Sequence, residues 1–140
     1  MKRKHLISWL MLAVSVVLLM AVQPYAAGYG HFRRTIFAEL LMQWKDATWQ
    51  HGALVPFIVG YLIWHRRNEV AQIPESSSRR GFALIVFALF FYFAGFRANN
   101  FYCGYLAIMT LLAGAALWLE GRQRARVHLF AWLMLGFMWP

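Results

Sequence analysis

Charge-free apolar length constrains this chain more than any other feature. Gly81 to Phe96 and Phe101 to Leu119 contain no Asp, Glu, Lys or Arg, and only the short link Arg97-Ala98-Asn99-Asn100 separates them. As α-helices rising 1.5 Å per residue they measure about 24 and 28 Å, close to a hydrocarbon core of about 30 Å. Helices that are apolar on every face belong in a membrane or in the core of a large protein. With 140 residues, 61% of them hydrophobic and 14% charged, the chain offers no polar shell for such a core; soluble domains carry about 25% charged residues.

Three further segments extend this pattern. Leu6 to Val22 is uncharged over about 26 Å. Gly52 to Trp64 is short, but residues 48–64 taken together reach a similar length, and Pro56 inside them is tolerable where neighbouring groups satisfy the freed carbonyl. A last apolar run occupies 128–140 and is too short for a complete span. The expected fold is therefore an all-α integral membrane protein, a single transmembrane domain over 1–140. It forms a polytopic bundle of about five spans at 6–22, 48–64, 81–96, 101–119 and 128–140, the last incomplete. That unfinished run leads us to expect an N-terminal fragment of a longer protein.

Between the first two spans Pro24, Gly28 and Gly30 break the chain. Phe32, Ile36, Phe37, Leu40, Leu41 and Trp44 then recur at helical spacing, which predicts an interfacial helix over about 31–45. Met1-Lys-Arg-Lys-His also has the form of a signal-peptide leader, with cleavage after Ala26 or Ala27 as the alternative. The length of the apolar run and Tyr25 in the cleavage motif favour a retained span.

Fourteen Lys and Arg oppose five Asp and Glu. Ten of the basic residues (Lys2, Arg3, Lys4, Arg66, Arg67, Arg79, Arg80, Arg122, Arg124, Arg126) fall on one side of the expected bundle. Only Arg33, Arg34, Lys45 and Arg97 fall on the other. The positive-inside rule then puts the N-terminus in the cytoplasm, in a multi-pass arrangement, and exposes 23–50 outside. The basic runs flank apolar segments, so membrane lipid is the expected partner; no basic stripe with a stacking platform points to nucleic acid.

The segment richest in chemistry runs from Trp44 to Arg67. An aromatic and acidic stretch (Trp44, Asp46, Trp49) ends in His51-Gly52, a helix containing Pro56 follows, and Trp64-His65-Arg66-Arg67 closes it. His51 is the titratable side chain where the outer interface meets a span. Asp46 is near enough in sequence for a histidine–carboxylate pair, while a helix-capping histidine is the plainer alternative.

This segment resembles the N-terminal signature of the exosortase and archaeosortase family, in which Trp, an acidic residue and Ser-His-Gly precede an apolar Leu-Val-Pro helix ending in Trp-Arg-Arg. The matching positions are Trp44, Asp46, His51, Gly52, Pro56 and Arg67; Gln50 stands where the family has Ser. The resemblance implies a bacterial inner-membrane cysteine peptidase or transpeptidase that processes C-terminal sorting signals of the PEP-CTERM type on exported proteins. The family's catalytic motif, Cys followed by Ser-Gly with arginines on later spans, has no counterpart here. The single cysteine, Cys103, lies in Phe-Tyr-Cys-Gly-Tyr, so it reads as an apolar helix contact, although Arg97 or His51 could activate it if folding brought them close. Catalytic residues are thus unassigned and whether the chain is an enzyme stays open. A lone cysteine and the absence of an HExxH pattern give no metal or cofactor expectation. The alternative reading is a small non-catalytic membrane scaffold or accessory subunit.

Overall fold

The computed structural model describes residues 3–21, 24–26 and 33–138. Met1, Lys2, Val22, Ala27, Gly28, Gly30, Phe32 and residues 139–140, which figured in the sequence reading, lie outside the described residues.

Seven α-helices are described: α1 (Arg3–Ala21), α2 (Ile36–Gln43), α3 (Val55–His65), α4 (Arg67–Gln72), α5 (Arg79–Arg97), α6 (Phe101–Leu119) and α7 (Gly121–Met134). A 3₁₀ turn at Gln50–Leu54 leads into α3, and another at Leu135–Met138 extends α7. Two short strands, β1 (Pro24–Ala26) and β2 (Arg33–Thr35), pair antiparallel with Tyr25 opposite Arg34.

The hairpin of α5 and α6 is the backbone of the fold. It turns through Asn99, held at φ 59°, and Asn100 starts α6 by accepting the Cys103 amide on Oδ1 at 3.3 Å. The turn suits asparagine, which tolerates the left-handed region and caps helices. At the other end of the hairpin the two backbones touch. A Cβ on Gly81 would sit 2.6 Å from the Gly114 carbonyl oxygen, and one on Gly114 would sit 3.0 Å from that of Gly81. Small residues permit this approach, as in membrane helix pairs generally.

Against α6 pack α1, α2 and α7. Ile36 and Leu40 of α2 are fully buried, with Tyr92, Phe101, Tyr105 and Ile108 around them. The Tyr92 hydroxyl donates to the Leu19 carbonyl at 2.6 Å, tying α5 to α1. A second cluster joins Val55 and Val59 of α3 to Ala131 of α7.

The outside of the bundle is apolar. Phe57, Phe90, Phe93, Val86, Leu10 and Met11 are all more than half exposed. Monomeric soluble proteins rarely show contiguous patches of this kind, so the bundle surface is one that lipid covers. Two of the described helices, α5 and α6, are long and apolar enough to cross a membrane, and the apolar part of α1, Ile7–Ala21, is shorter.

Two boundaries and the place of one proline differ from the sequence reading. The interfacial helix expected over 31–45 begins only at Ile36 and ends at Gln43. Arg33–Thr35 instead pair with Pro24–Ala26, and the Thr35 hydroxyl caps the helix by accepting the Ala38 amide at 3.1 Å. The apolar run expected from residue 128 begins inside a helix that starts at Gly121 and ends at Met134, placing Arg122, Arg124 and Arg126 on α7. Pro56 lies in the first turn of α3, where a missing amide hydrogen leaves no bond broken, so no neighbour has to repair it.

Candidate functional site

The Trp44 to Arg67 segment folds as a turn, a 3₁₀ turn and a helix, and its ends lie at opposite ends of α3. Trp44 ends α2, its amide bonded to the Leu40 carbonyl at 2.9 Å. Its indole Nε1 donates to the carbonyl oxygen of Met138 at 3.1 Å. The last carbonyls of any helix lack intrahelical partners, and here Trp44 satisfies one across a sequence separation of 94 residues. The Tyr105 hydroxyl donates to the Leu135 carbonyl in the same turn. Two side-chain donors from α2 and α6 therefore fasten the end of the α7 extension.

Gly52 makes that junction possible. A Cβ there would lie 2.6 Å from Trp44 Nε1 and 2.7 Å from the Met138 oxygen. Trp44 and Gly52 thus act together as a socket for residues 135–138.

Asp46 and His51 are placed differently. The Asp46 carboxylate accepts the Thr48 amide at 2.8 Å, closing a turn of the kind that Asp favours. The Thr48 backbone, then the Thr48 side chain, hold its pKa below 3.8. His51 is exposed beside Trp49, ring centroids 5.9 Å apart. Among the described residues no hydrogen bond or ion pair joins Asp46 to His51. Arg67, at the far end of α3, lies 4.0 Å over the Trp64 ring and donates to the Trp64 carbonyl at 2.9 Å. Such stacking uses the flat guanidinium.

Cys103 is half-buried in the first turn of α6. Among the described residues neither Arg97 nor His51 forms a bond to its thiol. No group of three His, Cys, Asp or Glu side chains suited to a metal occurs among the described residues.

Beside the socket is an apolar cavity of about 520 Å³, with no polar lining surface. Val17 and Met20 of α1, Phe37 and Leu40 of α2, Trp44, Pro56, Met109 and Leu112 of α6 and Met138 are among its walls. Pockets of roughly 300–1,000 Å³ hold compact ligands or side-chain clusters. Tyr105, Met109 and Met138 escaped the sequence reading of the site. The one available signal was Tyr105, a hydroxyl inside an apolar helix that must find a partner.

A helical bundle with a lipid-compatible exterior and an apolar cavity at one end defines a helical membrane protein. The family model of the transmembrane exosortases matches residues 44–140, beginning at the Trp44 that forms the socket. The chain belongs to the transmembrane exosortase family. No curated protein and no solved structure matches it.

Proposed function

We propose that these 140 residues form the substrate-docking scaffold of an exosortase-type membrane transpeptidase that processes PEP-CTERM-like C-terminal sorting signals. The scaffold resides in a bacterial inner membrane with its N-terminus in the cytoplasm. In this reading five apolar segments enter the bilayer, with α3 and the α7 extension completing the set. The observation that carries the reading is the wholly apolar cavity beside the Trp44–Gly52 socket, at the end of the bundle opposite most of the arginines. A sorting signal of this type combines a short motif, an apolar helix and a basic tail. The apolar part would enter beside α1 and α6, and its tail would remain with the anionic headgroups of the cytoplasmic face. Asp46, His51 and Trp49 would face the short motif from the outer turn. No chemical step is assigned to a residue of this chain, because Cys103 lacks the family's Ser-Gly context.

Direct binding tests this. The full chain in nanodiscs is titrated with a fluorescent peptide carrying motif, apolar helix and arginine tail. Saturable binding that weakens at least about tenfold on Met109→Trp, which fills the cavity, supports the reading. Equal binding by the variant, or by a peptide with an apolar helix of scrambled order and no motif, overturns it.

A further inference from the structure

A tight turn joins α6 to α7. Gly121 stands in it at φ 79°, a conformation that glycine adopts without strain. Between the two helices runs a narrow groove of about 230 Å³. Ala113 and Ala116 of α6 and Ala125 of α7 line it, so the space that longer side chains would fill stays open. Leu117, Leu129 and Trp132 complete its apolar wall. From Arg122 to Trp132 a helix rises about 15 Å, half of a hydrocarbon core of about 30 Å. The groove is therefore about one leaflet deep.

Its charge lies at one end. Arg122 and Arg126, four residues apart and so on one face of α7, line the groove toward the turn. Both are exposed, and neither makes a hydrogen bond or ion pair with another described residue. Arg124, between them in sequence, is committed elsewhere: the Ile73 carbonyl accepts from its Nε at 2.9 Å and its Nη2 at 2.6 Å, and Glu75 lies 3.6 Å away. Among the described residues no carboxylate lines the groove. Glu120, the nearest in sequence, lines a separate cavity beside His128.

We propose that this groove binds one anionic phospholipid, which lays an acyl chain between α6 and α7 and seats its phosphodiester on Arg122 and Arg126. The guanidinium fork matches phosphate oxygens, and two such groups one helical turn apart hold a phosphate from two sides. A zwitterionic headgroup carries the same phosphate, but its ammonium would meet two guanidinium groups and no carboxylate. The groove is smaller than the roughly 300–1,000 Å³ of sites that enclose a compact ligand, which suits a single extended chain. Lipid chains touch the whole apolar exterior. What singles out this groove is an apolar channel one leaflet deep with two uncommitted arginines at its headgroup end. The inference rests on the membrane placement of the bundle and not on the sorting-signal reading.

Native mass spectrometry of the purified full chain, stripped of lipid in detergent, counts bound molecules as dioleoyl lipids with phosphoglycerol or phosphocholine heads are added. A single phosphoglycerol lipid is expected to bind at least about tenfold more tightly than the phosphocholine lipid. Arg122→Gln with Arg126→Gln should bring the two lipids within about twofold of each other. Arg79→Gln with Arg80→Gln, the same loss of charge at the start of α5, should leave the preference intact. Ala125→Leu keeps the charge and fills the groove, and should weaken the phosphoglycerol lipid by about fivefold or more. Equal affinity for both lipids on the unaltered chain overturns the proposal even if a variant fails to fold. So does a preference lost equally in both arginine pairs, which would mean diffuse surface charge, or unaltered binding by Ala125→Leu. Soluble glycerophosphoglycerol that displaces the lipid at equal concentration would give the arginines to a free phosphate compound, and a dimer that binds no lipid would give the groove to a second copy; either contradicts the proposal.

Discussion

Replacing Gly52 by alanine adds one methyl group at the point where three segments converge. That carbon would stand 2.6 Å from Trp44 Nε1 and 2.7 Å from the Met138 oxygen. Neither neighbour can yield without parting the 3.1 Å indole–carbonyl bond between them. Over-packing a tight contact costs about 1–3 kcal/mol, and leaving a buried polar partner unsatisfied about 1–3 kcal/mol. The two overlap, so about 2–4 kcal/mol is expected. Gly60, in the helix that follows the turn, supplies the control, since nothing lies within 4 Å of its Cβ position. Gly60→Ala should stabilise by about 0.5–1 kcal/mol through reduced backbone freedom in the unfolded chain. Unfolding of both variants in mixed micelles, followed by circular dichroism, gives the difference directly. Gly52→Ala combined with Trp44→Ala should cost less than the sum of the single changes, because the indole is the obstacle. If Gly52→Ala is as stable as Gly60→Ala, the socket described at Trp44 is wrong.

Other expectations follow from the same contacts. Gly81→Leu should separate α5 from α6, since its side chain would meet the Gly114 carbonyl and the Trp118 backbone; loss of more than about 2 kcal/mol of stability is the outcome to check by the same unfolding measurement. Tyr105→Phe removes the donor to the Leu135 carbonyl, and a cost of about 1–2 kcal/mol is expected. By carbon-13 NMR Asp46 should titrate below 3.8. A group held below its unfolded value adds stability above that value and loses it as pH falls through the folded pKa, so this turn should loosen only under strong acid; Thr48→Ala should raise the midpoint part of the way by removing the hydroxyl contribution. In a Cys103→Ala background, Thr48→Cys should react with a membrane-impermeant thiol reagent added outside spheroplasts and Ser77→Cys should not; the reverse pattern would invert the proposed orientation.

The α5–α6 hairpin was legible because two uncharged runs of bilayer length flank a link whose asparagines suit a tight turn. Charge-free length is a local property; the place of Pro56 in the first turn of α3 was not read, because the 48–64 run carries no charge to mark where its helix begins. The strand pair was not legible: Arg33-Arg34-Thr35 has no alternation against a buried face, and only its pairing with Pro24–Ala26 draws it out of the helical pattern. The Trp44–Met138 bond was hidden for another reason, since its partners are 94 positions apart and one is a backbone carbonyl. Arg67, Glu75, Glu120, Arg124 and His128 are likewise scattered along the chain. Folding gathers them around one cavity, with α3 and α4 packed against α7. The motif from Trp44 to Arg67 announced the family in sequence, but a one-dimensional pattern cannot say that Trp44 and Gly52 brace one end of the bundle while Arg67 serves the other.

The central claim is that the apolar cavity receives the helix of a sorting signal, and site-specific photocrosslinking tests it most directly. A photoreactive residue replaces Leu112 on the cavity wall, or Phe90 on the lipid-facing side of α5 as control. Each chain is expressed with an exported reporter that ends in a short motif, an apolar helix and an arginine tail. The account predicts a crosslink from position 112 to the reporter's apolar helix, lost when motif and tail are deleted, and little from position 90. Equal crosslinking from both positions, or a crosslink from 112 that survives the deletion, would contradict it.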